Sequence, residues 1–566
     1  AGVVIKGLDH VQVSANCMAA SGDPKQDSAL RNGVEALSKI SVDLEVSIPV
    51  GKDSLSMRTK WNEEKNEYEV TSPLSGIISA MAPVEDISRS VTPELNVDED
   101  SVILVVKINQ KNRLAGSIFS EVTESQYNET PDIDDVKLFK SLFNHIQGLI
   151  KDNKILAMHD ISDGGLVTAL AEMCFTKKVG MSIQVDDIDS INKTLFSEEI
   201  GFVIQVKSDD LDIVKSSLDE INIYVKEVAT IVEESFSISS KEKEVFSESI
   251  TVLEKYWRET SHAIQSIRDN KKIADSELNL LDNKNYHGLN SNVSFDENQI
   301  KNLSIKGTKP KVAILREQGV NGQNEMAAAF TIAGFEAFDV HMQDLLDGNI
   351  DLKQFQGMAV CGGFSYGDVL GAGGGWSKTI LYNNNVKDQF QQFFENKATF
   401  TLGVCNGCQM LSNLKDIIPE ADYWPSFERN FSDQFEARLV QVKVENTNSV
   451  LLRNMNGWTV PVASAHGEGR ANFEMNNLEE LKKQNQIAMR FVDSSAEHTE
   501  VYPINPNGSP EGITGITAAS GRVTIMMPHP ERVFRKYQMS WHQKDWPEYS
   551  PWMQIFVNAK QYSDEN

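Results

Sequence analysis

ATFTLGVCNGCQMLSNL, residues 398–414, passes from a short apolar run into a helical pattern through a Gly-x-Cys-x-Gly turn at Gly403, Cys405 and Gly407. An apolar strand that feeds a helix through so tight a turn is the repeating unit of a doubly wound α/β sheet. The residues upstream repeat it. KVAILRE (311–317), EAFDVHM (336–342) and GMAVCGG (357–363) are three further short apolar strands, and NEMAAAFTIAG (324–334) is a helical run between the first two. Strands that are apolar throughout, rather than alternating, indicate a parallel sheet covered on both faces. Functional loops in such sheets lie at the carboxyl ends of the strands. Cys405 and the pair Gly362–Gly363 occupy such ends.

Cysteine here takes the nucleophile's place in a G-x-nucleophile-x-G elbow. The flanking glycines permit the tight turn, and the helix that starts after Cys405 directs free N–H groups and its positive end at the sulfur, which favours thiolate. Cys408 lies inside that helix and lacks the geometry, and Cys361 is expected to pack in the core. A base and an orienting group stand in RVTIMMPHPERVF, residues 522–534, where two prolines stiffen the turn around His529 and Glu531. His529 is expected to take the thiol proton and return one to a leaving amine, with Glu531 fixing its tautomer. Backbone N–H groups at Gly362 and Gly363 suit an oxyanion hole. His466, in the Gly-rich SAHGEGR (464–470), sits in a loop able to close over the site. The Gly-rich GDVLGAGGGWS (367–377) lacks the strand-G-x-G-x-x-G-helix order, so no dinucleotide site is expected there.

Upstream, strands alternate with helices in a mixed pattern: SVILVVKI (101–108), KILAMHD (154–160), GLVTALAEMCF (165–175), GFVIQVK (201–207) and INIYVKEVATI (221–231). Leu30, Val34, Leu37 and Ile40 recur at helical spacing. The organisation expected is a mixed strand and helix region over 1–95, which the resemblance stated below makes the end of a synthetase-like N-terminal domain of ATP-binding type, an α/β or α+β domain over 96–235, a helical and polar linker over 236–308 and a doubly wound domain over 309–566. Two stretches carry binding chemistry. SIPVGKDSLSMRTKW (47–61) sets Lys52, Asp53 and Ser54 in a loop after a strand, suited to phosphate and metal contacts. MHDISDGGL (158–166) sets Asp160, Ser162 and Asp163 at a strand end, ahead of a Gly-Gly pair and a helix N-terminus that suits phosphate.

Residues 311–566 resemble a class I (triad) glutamine amidotransferase domain. More narrowly, EQGVNGQNEMAAAF, CGGFSYGD, GVCNGCQML, AHGEGR and MPHPERV resemble the glutaminase domain of the phosphoribosylformylglycinamidine synthases of purine biosynthesis. Gly322, Gln323 and Asn324 depart from the Ser-His-Val usual there. GKDS and HDISDGGL, with SANCMAASGD, LFSEEIGFVIQV and YWRETSHAIQSIRDN, resemble the synthetase half of the same enzyme in its large single-polypeptide form. The resemblance implies a flavodoxin-like glutaminase preceded by domains like aminoimidazole-ribonucleotide synthetase. It implies a γ-glutamyl thioester on Cys405, worked by His529 and Glu531, with Gly362, Gly363, Asn406, Gln409 and His466 around the oxyanion and the glutamine. It implies Asp160 as a Mg²⁺ ligand and Ser162 as a nucleotide contact, with Ile161 replacing a common arginine. The implied reaction uses ATP, releasing ADP and phosphate, to convert formylglycinamide ribonucleotide to the amidine with ammonia channelled from glutamine.

The 566-residue chain carries 81 acidic against 54 basic side chains, a net charge of −27 with 40% hydrophobic residues. That surface is a poor match for nucleic acid. Five cysteines, an odd number in a long chain, do not suggest a disulfide framework, and no apolar run reaches the length of a membrane span. A soluble, cytoplasmic protein is expected. The chain opens AGVVIKGLDH, without methionine, and the resemblance places an N-terminal domain and a first synthetase repeat ahead of it. The expectation is therefore the C-terminal half of a longer enzyme, with the missing N-terminal half as partner. Two other readings remain open: an amidotransferase serving another acceptor, and a scaffold or regulatory half whose nucleotide is structural.

Overall fold

The structure, a computed structural model, describes residues 2–566 apart from 64–65, 242, 304–308 and 475. It divides into two compact units, residues 1–257 and 258–566.

In the first unit a three-stranded sheet joins β1 (Gln12–Met18), β2 (Ser47–Ser54) and β3 (Ser75–Met81). The helix Pro24–Leu44 precedes β2. Asp23 caps it by accepting from the N–H groups of Lys25 and Gln26, and Pro24 supplies a pre-set first turn. Seven further strands form one sheet: β4 (Ser101–Lys107), β5 (Ala157–Asp160), β6 (Gly180–Val185), β7 (Gly201–Lys207), β8 (Tyr224–Val232), β9 (Ser235–Ser240) and β10 (Lys243–Ser249). Their order is β10-β9-β6-β8-β4-β7-β5, antiparallel except for β6 beside β9. Successive residues of β4 enter two different cores. Ile103 and Val105 pack with Leu166, Leu170 and Met173 of the helix Gly165–Lys177; Leu104 and Val106 pack with Leu142 and Ile146 of the helix Val136–Lys151. Burial on both faces is why that strand reads as an unbroken apolar run.

Two expectations differ here. Lys52, Asp53 and Ser54 lie within β2, paired with β1, rather than in a loop after it. Residues 236–240 and 243–249, read as linker, lie in β9 and β10. Phe236, Ile238 and Ser240 point inward at alternate positions, while β10 is an exposed edge. The helices expected after it are present as Ile250–Arg268 and Lys271–Asn279. Part of the segment read as linker, 304–308, lies outside the described residues.

The second unit is built on nine strands: β11 (Lys311–Arg316), β12 (Glu336–His341), β13 (Gly357–Val360), β14 (Phe400–Val404), β15 (Glu436–Val444), β16 (Thr459–His466), β17 (Ile487–Phe491), β18 (Ile513–Thr517) and β19 (Val523–Met526). The order is β12-β11-β13-β14-β19-β18-β17-β15-β16. The first five of that row are parallel and the rest are joined antiparallel. The parallel part has the 2-1-3-4-5 order of a flavodoxin-like doubly wound sheet, as expected. Trp376, Phe330, Phe400 and Phe556 are buried in its core. Among the described residues no helix is long and apolar enough to cross a membrane.

Candidate active site

Cys405 follows β14 directly and caps the helix Asn406–Ser412, at φ 51° and ψ −110°. A non-glycine residue in that region is strained, and such strain collects at functional turns. Cys405 N–H is anchored on the Met526 carbonyl of β19 at 2.9 Å. The flanking glycines serve differently from expectation, since neither has positive φ. A Cβ on Gly407 would lie 2.1 Å from the Val360 carbonyl oxygen, and one on Gly403 would lie 2.5 Å from Leu411 Cδ1. They let strand and helix close together, and the strained conformation falls on the cysteine itself.

β19 ends at the prolines around His529. The His529 backbone N–H donates to Ala463 of β16 at 2.8 Å, and its Nδ1 meets Glu531 Oε1 at 2.7 Å. Both side chains are sealed from solvent. Nε2 makes no hydrogen bond of full geometry, and the polar group beside it is Cys405. Burial alone favours neutral imidazole, but the Glu531 carboxylate and the Cys405 sulfur outweigh it and hold the His529 proton up to about 10. Gly362 fits between the two groups: a Cβ there would stand 2.6 Å from His529 Cε1 and 3.1 Å from Cys405 Cβ. Gly363 is at φ +139°, with Gly319 and Val320 pressed against it. Its N–H has no acceptor among the described residues.

Cys405, His529, Gly363, Gln409 and His466 line one cavity of about 470 Å³. The other candidates there turn out differently. Asn406 is fully buried and its side chain is spent: Oδ1 accepts from Ser365 Oγ at 2.6 Å and Nδ2 donates to Asp368 Oδ1 at 3.0 Å. That side chain braces the loop after β13. Gln409 Nε2 donates to the Glu468 carbonyl. His466 has Asn507 Nδ2 on Nε2 at 3.1 Å and Ser464 Oγ on Nδ1 at 3.3 Å. Burial, with the charge of His529, drives its pKa to about 3, so it is neutral and fixes its loop. Asp368, Glu468 and Arg532 also line the cavity. All three lie inside motifs quoted from the sequence, but nothing in their spacing singled them out.

In the first unit Asp160 ends β5. His159 Nδ1 hydrogen-bonds the Asp160 backbone carbonyl at 2.9 Å, and the ring is ion-paired with Asp160 Oδ1 (3.4 Å) and Glu172 Oε2 (2.9 Å). Those bonds, Asp160 first, raise His159 to about 10, and His159 lowers Asp160 to about 2, helped by the Ser162 hydroxyl. The Gly164 N–H, expected free for phosphate, donates to Glu198 Oε1 at 2.9 Å. A carboxylate on that helix start opposes a phosphate there. Among the described residues no three His, Cys, Asp or Glu side chains converge to hold a metal. Asp160 offers one exposed carboxylate, and Mg²⁺ is commonly held by one or two carboxylates with waters and substrate phosphates. Lys52 Nζ donates to Ser54 Oγ at 2.9 Å. Lys52 and Asp53 line a separate hollow of about 720 Å³ beside the helix Pro24–Leu44.

Residues 309–563 match the family model of the CobB/CobQ-like glutamine amidotransferase domain. Residues 1–83 match the FGAR-AT PurM_N-like domain, and residues 98–240 match the C-terminal domain of AIR synthase related proteins. Among solved structures the chain resembles PurLQS from Thermotoga maritima at 23% identity, over 45% of this chain and 99% of that one, with a TM-score of 0.35. It resembles T. maritima PurL complexed with FGAR at 12% identity, over 43% of this chain and 39% of that one, with a TM-score of 0.32. E. coli HypE, a hydrogenase maturation protein, matches at 14% identity over 44% of this chain and 73% of that one, with a TM-score of 0.32. The chain thus spans about two fifths of the length of the PurL chain it resembles.

Proposed function

Since these three domain families in this order make the chain a member of the phosphoribosylformylglycinamidine synthases with a C-terminal glutaminase domain, we propose that its second unit hydrolyses glutamine at Cys405 and passes the ammonia to formylglycinamide ribonucleotide. The cysteine on its strained elbow, with the buried His529–Glu531 pair beside it in one cavity, carries this reading. The sulfur adds to the side-chain carboxamide carbon of glutamine while Gly362 and Gly363 face the developing oxyanion. A donor so placed contributes about 3–4 kcal/mol. The tetrahedral intermediate expels ammonia, which takes its proton from His529, and leaves a γ-glutamyl thioester. Water then attacks the thioester with His529 as base, releasing glutamate and restoring the thiol.

Residues 1–235 form part of the synthetase, whose complement is the partner half of the same enzyme. There ATP phosphorylates the formamide oxygen of formylglycinamide ribonucleotide; ammonia displaces the phosphate, giving the amidine, ADP and phosphate. Channelling keeps the ammonia from water and protonation, and the reaction belongs in the cytoplasm. The test is glutamate release from glutamine by the wild-type chain and by Cys405→Ala. Turnover in the wild type that vanishes in the variant is expected; equal turnover in both rejects the reading.

A further inference from the structure

Beyond Gly363, at φ +139°, the loop after β13 turns through Tyr366, Gly367 and Asp368 at φ 53°, 63° and 55°. Three successive left-handed residues, two of them with side chains, are not what a free segment adopts. Such a conformation persists where its surroundings over-determine it. Here the surroundings are the residues that follow β11. The Asn321 N–H donates to the Gly362 carbonyl at 3.1 Å, Phe364 N–H to Gly319 at 2.9 Å and Tyr366 N–H to Gln318 at 3.0 Å. A Cβ on Gly363 would stand 2.6 Å from both the Gly319 carbonyl oxygen and Val320 Cα, so the two segments lie flat together. One side-chain bond closes them at the far end: the Tyr366 hydroxyl donates to Glu317 Oε2 at 2.7 Å. Glu317, buried, is the first residue after β11. Its Oε1 receives the Gln318 N–H at 2.7 Å and faces His341 Nε2 at 3.4 Å. His341 Nδ1 accepts the Gln343 N–H at 3.0 Å, which in the neutral ring leaves the proton on Nε2, toward Glu317. The carboxylate is thus fixed from the ends of both β11 and β12, and it in turn fixes Tyr366.

Neither Glu317 nor Tyr366 lines the cavity at Cys405, so neither touches what binds there. We propose that they are positioning residues for the glutamine reaction: their bond holds the strained loop so that the N–H groups of Gly362 and Gly363 meet the oxyanion formed at Cys405. This rests on the glutaminase reading and adds two residues outside the cavity to it. The consequence is selective between two reactions of one thiol. Attack on a carboxamide carbon drives charge onto oxygen and needs the donors in place. Displacement of iodide from iodoacetamide forms the C–S bond at a saturated carbon, develops no oxyanion and needs only the thiolate. The Tyr366 ring rests on Gly375, where a Cβ would stand 2.9 Å from its Cδ2. Phenylalanine at 366 therefore keeps the ring's contact and loses only the hydroxyl's bonds.

The test sets glutamate release from glutamine beside labelling of Cys405 by iodoacetamide, in Tyr366→Phe and in Glu317→Met. In each variant kcat for glutamate release is expected to fall about tenfold to a hundredfold, the loss that a misplacement of about 1 Å brings, with KM within about threefold of wild type. The labelling rate should stay within about twofold, since the thiol and its base remain. Glu317→Gln keeps an acceptor for the Tyr366 hydroxyl and should recover most of kcat. The double variant Tyr366→Phe with Glu317→Met should lose no more than the worse single one, because both remove the same bond. Wild-type kcat in both single variants overturns the assignment. So does an equal fall in turnover and labelling, or losses that multiply in the double variant. A wild type that is labelled at Cys405 but releases no glutamate contradicts the glutaminase reading, and the positioning role falls with it. Release by the wild type with unaltered variants rejects the positioning role alone.

Discussion

At Cys405 the strain lies on the cysteine's own backbone, while His529 holds its proton because Glu531 is 2.7 Å away in a buried pair. Removing that carboxylate's charge should expose the effect of burial. Glu531→Gln is expected to bring the His529 pKa down from about 10, read by NMR of the ring proton, and to cut glutamine turnover about 10²–10⁴-fold. An unchanged His529 titration would show that another group sets it. His159 gives a second pH signature. Its pKa is raised from 6.5 to about 10, so its contribution to stability is complete below 6.5 and is lost as pH rises through 10. Asp160, lowered from 3.8 to about 2, contributes above 3.8 and loses that contribution as pH falls through 2. His159→Gln should flatten both limbs of the unfolding-midpoint profile. The meeting of Cys405 with His529 and Glu531 in one cavity was legible at this scale because a glycine-flanked cysteine and a proline-flanked histidine announce turns. The uses of Asn406 and His466 were not, since which way a polar side chain bonds depends on neighbours distant in sequence, Ser365 and Asn507 among them.

Between elements, the elbow depends on close approach. A Cβ on Gly407 meets the Val360 carbonyl at 2.1 Å, backbone that cannot swing aside. Gly407→Ala should destabilise the second unit by about 1–3 kcal/mol and abolish Cys405 labelling, read by thermal unfolding and mass spectrometry. Gly148 offers the contrast, in the last turn of its helix with nothing near its missing Cβ. There alanine should stabilise by about 0.5–1 kcal/mol. The parallel strands were readable because both faces are buried, giving apolar runs. β9 and β10 were not: only one face of β9 is covered, and the edge strand β10 is rich in Lys, Glu and Ser. Charge on an edge guards against strand addition, but in sequence it looks like linker.

Over the whole molecule, the segment before β11 belongs to the second unit's packing. Val293, Phe295 and Ile300 lie against the glutaminase core, Asn292 bridges to Thr459, and the Asn290 N–H donates to Gln441 Oε1 at 2.7 Å. Residues 258–566 should therefore fold alone and label at Cys405, whereas residues 309–566 should unfold at lower urea. Equal midpoints would mean that the segment adds nothing. The central claim, a cysteine that takes the glutamyl group from glutamine, is tested most directly by rapid acid quench with labelled glutamine. A γ-glutamyl adduct on Cys405, present in the wild type and absent from Cys405→Ala, is the predicted result. An adduct on another residue, or hydrolysis that persists in Cys405→Ala, contradicts it.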